Sequence, residues 1–182
     1  FGHVATSGPG DSDYIRYDRT IADQAVNWLH EDAAQLEQPW CLWVSFALPH
    51  FPFIAPLQHF DRFTPADLPL PIQWRADEWP SHPHIAGYRT DRIQTPEEEV
   101  DESVVRRTIA AYYGMCAYLD EQIGRVLQAL RAAGQADRTR ILYTSDHGEI
   151  LGDFGLWGKS VMYEGSAAVP LILSGPDVTP GT

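Results

Sequence analysis

The chain has 182 residues, 13 Lys+Arg against 25 Asp+Glu for a formal net charge of −12, and a composition that is 44% hydrophobic and 12% aromatic. That apolar content can bury a core and excludes a disordered chain, while the acidity argues against a general nucleic-acid binder, because phosphate backbones reward clustered Lys and Arg. No run of roughly 18 or more apolar residues occurs, which excludes a transmembrane helix, and two cysteines, Cys41 and Cys116, are too few for a disulfide framework.

Phe1 opens a stretch that runs into Gly8-Pro9-Gly10-Asp11-Ser12-Asp13, and the chain closes on a Gly/Pro-rich segment just after an apolar run, so it reads as a fragment of a domain. Ile21, Ala25, Trp28, Leu29 and Leu36 predict a helix over 17–38, capped by Asp18 or Thr20 and stopped by Pro39. Residues 40–46 (WCLWVSF) read as a short strand buried on both faces. Pro49-His50-Phe51-Pro52 then forms a stiff loop, followed by a proline-rich, mostly irregular insertion over about 55–101, of the kind that covers a site. The acidic run Glu97-Glu98-Glu99-Val100-Asp101-Glu102 reads as a helix N-terminus.

Residues 103–133 carry the strongest helical pattern, with apolar positions recurring from Ile109 to Leu130 and Gly134 ending it. Asp120 falls on that apolar face and is expected to be buried with hydrogen-bond partners, and Cys41 and Cys116 are expected to be core thiols. Residues 141–145 (ILYTS) and 169–174 (VPLILS) read as two more buried strands. The order predicts an α/β fold, a mostly parallel mixed sheet flanked by helices. Ligands gather past the carboxyl ends of such strands. One strand runs into His50 and another into Asp146-His147, so in parallel order these residues share an edge.

Asp146-His147-Gly148-Glu149 presents a carboxylate and an imidazole at a strand end, with Gly148 read as permitting a tight turn. The pair suits a divalent cation; otherwise Asp146 caps a turn and His147 is incidental. Lys159 ends a loop with glycines at 152, 155 and 158, where an ammonium can hold an anionic oxygen or stay solvated. His50 can donate to an anionic ester or protonate a leaving group, or simply pack in its loop. His82-Pro83-His84 reads as surface decoration.

Together these stretches resemble the sulfatase family of the alkaline-phosphatase-like superfamily. The resemblance rests on residues 40–56 (WCLWVSFALPHFPFIAP), on 112–130 with its Leu119-Asp120 and Ile123-Gly124-Arg125, and above all on 142–176 (LYTSDHGEILGDFGLWGKSVMYEGSAAVPLILSGP). It implies an alkaline-phosphatase-like sheet between helix layers and a metal-dependent sulfuric ester hydrolase acting on a small-molecule sulfate ester. Asp146 and His147 would be metal ligands, with calcium the expected cation and manganese the alternative. Lys159 would hold a sulfate oxygen, and His50 would bind the sulfate and help the leaving oxygen depart. The family's nucleophile is a formylglycine made from the Cys of C-x-P-S-R. That motif is absent, since Cys41 is followed by Leu-Trp-Val and Cys116 by Ala-Tyr-Leu. By the resemblance, residues 1–182 are a central-to-late part of the catalytic domain, inactive alone, with the formylglycine expected N-terminal to it. Two alternatives stand beside this reading: a phosphonate monoester or phosphodiester hydrolase of the same superfamily, and a non-catalytic anion-binding protein on that scaffold.

Overall fold

The computed structural model describes residues 2–89 and 100–181. In chain order the elements are α1 (Gly2–Ala5), β1 (Gly8–Pro9), α2 (Asp13–Glu31), β2 (Ile54–Ala55), α3 (Leu57–Phe60), α4 (Pro83–Tyr88), α5 (Glu102–Ala132), β3 (Ile141–Thr144), α6 (Glu164–Ala167) and β4 (Leu171–Ser174). Short 3-10 turns punctuate the proline-rich stretch at Pro65–Asp67 and Ala76–Glu78.

Helix α5 is the spine. Asp101 caps it by accepting the Ser103 N–H at 2.7 Å, so the acidic run does mark a helix start there, while Glu97–Glu99 lie outside the described residues. At the far end Gly134 takes φ +65°, which an L side chain resists, and Gln135 N–H closes on the Leu130 carbonyl at 3.2 Å. The apolar face of α5 packs Val105, Ile109, Ala111, Met115, Tyr118 and Leu119 against Phe53, Leu48 and Ile15. Each large side chain buried this fully contributes about 1.5–3 kcal/mol.

Helix α2 begins four residues earlier than its apolar spacing suggests, because the Ser12 hydroxyl accepts the Ile15 N–H at 3.3 Å. It ends at Glu31, and a 3-10 turn, Ala33–Gln35, follows. Asp18 therefore lies inside the helix and is not its cap. Tyr118 Oη donates to the Ile15 carbonyl at 3.2 Å and Arg125 pairs with Asp23, fastening α2 to α5.

The strands depart from expectation in three ways. Residues 40–46 alternate in burial as a strand would, but they join no ladder among the described residues, and Trp43 is 85% exposed. β3 and β4 pair antiparallel, Ile141 opposite Ser174 and Thr144 opposite Leu171, whereas β1 and β2 pair parallel, Gly8 opposite Ile54. β4 is also exposed along its length, with Leu171 at 73%, so this strand is not the buried one its apolar content suggests. An apolar run reports the capacity to be covered, and within these residues no helix layer covers that face. Two side chains depart as well. Asp120 is exposed on α5, and Cys41 is exposed, while Cys116 is part-buried. Burial pushes the Cys116 thiol up to about 11, with a hydrogen bond to Tyr112 opposing it weakly. His82 and His84 are both exposed, as expected.

Candidate active site

β3 ends at Thr144 and delivers Ser145, Asp146 and His147 at its carboxyl end. Ser145 Oγ donates to the His147 carbonyl at 2.9 Å, and the His147 N–H reaches Asp146 Oδ1 at 3.1 Å, so the turn is held by its own polar groups. Gly148 is needed here for room. It has no positive φ, but a Cβ on it would stand 2.9 Å from the Ala168 carbonyl oxygen and closer still to that of Gly165. Its N–H donates to the Ser166 carbonyl at 2.8 Å, docking the loop on α6.

His50 arrives from the other side, in a loop flanked by the cis Leu48-Pro49 and Phe51-Pro52 bonds. Its ring centroid lies 6.4 Å from that of His147 and 4.1 Å from that of Phe51. Lys159 Nζ stands 5.7 Å from the Phe51 ring centre. The structure thus brings His50 and Lys159 to one phenylalanine and the His50 ring near His147, although the strands behind them are not the parallel set expected.

The imidazole tautomers follow from the backbone. A carbonyl oxygen only accepts, and His50 Nδ1 lies 2.7 Å from the Phe51 oxygen while His147 Nδ1 lies 2.8 Å from the Gly148 oxygen. Both rings therefore carry their proton on Nδ1 and keep Nε2 for a ligand. For His147 this is the arrangement of a metal-ligating histidine, whose second nitrogen is held by a carbonyl. Its Nε2 is 3.6 Å from Asp146 Oδ2, and the Asp146 side chain is 85% exposed. Slight burial works to raise the Asp146 carboxyl, but the adjoining His147 ring, nearby backbone N–H groups and the Ser145 hydroxyl together hold it below the usual range. This donor pair fits a divalent cation in kind, a hard oxygen beside an imidazole. Among the described residues no group of three His, Cys, Asp or Glu is placed to enclose a metal.

Lys159 is set by a constrained loop. Leu151, Phe154 and Ser160 take positive φ of 53°, 58° and 76°, each costing about 1 kcal/mol or more for a non-glycine residue. Gly158 takes φ +86°, which turns the chain into Lys159. What holds the loop is a residue that local pattern did not single out. Glu149 Oε1 accepts the Leu151 N–H at 3.0 Å and the Gly158 N–H at 2.6 Å. Burial pushes the Glu149 carboxyl up, against those two N–H groups, the Lys159 ammonium and the nearby His147 ring. From the proline-rich stretch, Tyr88 Oη donates to the Lys159 carbonyl and Arg89 to the Phe154 carbonyl, so that stretch clamps the loop. Tyr14, edge-on to His50 at 5.8 Å, and His3, 4.6 Å from Phe51, complete the surroundings.

The chain is 35% identical over 191 residues to the choline-sulfatase of Rhizobium meliloti (strain 1021), a match covering 99% of this chain and 36% of that protein. It is 32% identical over 182 residues to the arylsulfatase K of Gallus gallus, covering 93% and 34% respectively. The chain thus spans about a third of the length of the curated relatives it matches. Among solved structures, the phosphonate monoester hydrolase of Silicibacter pomeroyi superimposes with a TM-score of 0.74 at 32% identity, over 88% of this chain and 33% of that one. The structural neighbours share the alkaline-phosphatase-like α/β fold. The family model described as Sulfatase matches residues 3–181, and by that match the chain belongs to the sulfatase family.

Proposed function

We propose that this chain supplies the leaving-group side and part of the metal shell of a hydrolase of small-molecule sulfate esters. The observation that carries the reading is the placement of His50 and Lys159 against Phe51, with the His50 ring 6.4 Å from that of His147. An ammonium and an imidazole on one side of a site suit a transferring group whose charge is spread over several oxygens. Lys159 pairs with a sulfate oxygen. His50, in its charged form with Nδ1–H held by Phe51, turns Nε2–H to the ester oxygen and protonates it as the bond to sulfur breaks. Asp146 and His147 would hold a divalent cation, calcium first and manganese second, which when bound acts as a Lewis acid on the transferring group. The nucleophile is not among these residues.

The test is a substrate panel on a hydrolase that carries this chain. Aryl and alkyl sulfate esters should be turned over far faster than phosphonate monoesters, with His50→Ala and Lys159→Ala each costing about 10²-fold or more. Unchanged turnover in both variants refutes the reading. A second reading, phosphonate monoester hydrolysis, is favoured by the TM-score of 0.74 to a hydrolase of that name. It wins if the panel's order is reversed.

A further inference from the structure

Helix α2 buries Ile15, Ala22, Ala25 and Leu29, and among these apolar side chains it also buries Asp18, which is 0% exposed. A carboxylate in such a place costs free energy unless its oxygens find donors. Asp18 Oδ1 accepts the Ala47 N–H at 2.7 Å and Oδ2 accepts the Leu48 N–H at 2.9 Å. The next residue, Pro49, has no N–H, and the one after it is His50. The His50 N–H returns to the Ala47 carbonyl at 3.1 Å, closing a turn on the very residue that Asp18 holds. Residues 40–47 join no ladder among the described residues. One turn earlier on the same helix, Tyr14 meets the His50 ring edge. α2 is itself fastened to α5 through Tyr118 and Arg125.

We propose that Asp18 is a positioning residue for His50: its carboxylate grips the backbone ahead of the histidine and so fixes where the imidazole points and which nitrogen faces the ester. The assignment rests on reading His50 as a group of the site. An apolar residue of similar size would fill the core at less cost but would leave two N–H groups unpaired and the turn loose. Asparagine in the same pose keeps one oxygen acceptor and turns its NH2, a donor, toward the other backbone N–H, so that N–H loses its partner.

The experiment uses 15N-labelled chain and three variants, Asp18→Asn, Asp18→Ala and, as a control for general destabilisation, Leu29→Ala in the core away from His50. In the unsubstituted chain the Ala47 and Leu48 amides should be protected from exchange and the His50 ring nitrogens should show a single Nδ1–H tautomer. In Asp18→Asn at least one of those amides should exchange about 10- to 100-fold faster, and the His50 ring signals should move toward the averaged values of a free imidazole. Leu29→Ala should leave the His50 signals in place. In a hydrolase carrying this chain, Asp18→Asn should lower kcat more for esters with poor leaving groups than for activated aryl esters. Unprotected Ala47 and Leu48 amides in the unsubstituted chain overturn the proposal, as do His50 signals that ignore Asp18→Asn or follow Leu29→Ala equally. The exchange and ring-nitrogen readouts need no turnover. A protein that hydrolyses no ester therefore refutes the proposed function while those readouts still decide the role of Asp18.

Discussion

Gly148→Ala tests how the loop carrying Asp146 and His147 is docked. The added Cβ would stand 2.9 Å from the Ala168 carbonyl oxygen and nearer to that of Gly165, and both obstacles are backbone, so neither can swing aside. Relief requires residues 147–149 to lift from α6, which gives up the Gly148 N–H bond to Ser166 at 2.8 Å. Overpacking costs about 1–3 kcal/mol and the lost hydrogen bond about 1 kcal/mol, so the variant should lose about 2–4 kcal/mol. For a chain of this size each kcal/mol moves Tm by roughly 2–4 °C, which places the fall at about 4–16 °C in a calorimetric scan. Gly124→Ala is the matched control. It sits inside α5 with nothing within 4 Å of the added methyl, so it should gain about 1 kcal/mol from helix propensity. A Gly148→Ala variant as stable as the parent would refute the argument from close approach. So would one that gains as Gly124→Ala does.

Glu149→Ala removes the acceptor for the Leu151 and Gly158 N–H groups, so the Gly158 amide should exchange at least tenfold faster, with a stability loss of about 1–3 kcal/mol. His50→Ala and Lys159→Ala, both on part-exposed side chains, should each shift stability by less than about 1 kcal/mol. Their effect should fall on turnover, which separates a chemical role from a structural one. Asp18 also gives a pH dependence. Burial raises its carboxyl above the ordinary 3.8, against the two N–H groups it accepts. A raised folded-state value means its contribution is fully present below the unfolded-state value and is lost as pH rises through the folded one. The stability difference between the parent and Asp18→Asn, measured by urea unfolding at successive pH values, should therefore move against the parent as pH climbs above 3.8. A difference that moves the other way would show the carboxylate to be stabilised by its partners more than it is penalised by burial.

Helices α2 and α5 and the strand ahead of Asp146 were legible in the chain, because a 3.6-residue apolar period and a Gly-terminated helix are local properties. His50, Asp146, His147 and Lys159 were nameable as candidates from the chain, since their residue types, in a proline-flanked loop, past an apolar run and in a glycine-rich loop, suit an anion or a cation. The spacing Ile15, Asp18, Ala22, Ala25, Leu29 held a signal that a helix start placed at 17 concealed: an acid in an otherwise apolar stripe. Only the tertiary structure decided that Asp18 is buried and Asp120 exposed, that β3 and β4 run antiparallel, and that Gly148 is needed for room beside α6. Burial, ladder direction and close approach each depend on a partner far away in the chain, and no local pattern names that partner. The backbone donors at Ala47 and Leu48 select Asp18 for the interior, and they lie about thirty residues from it.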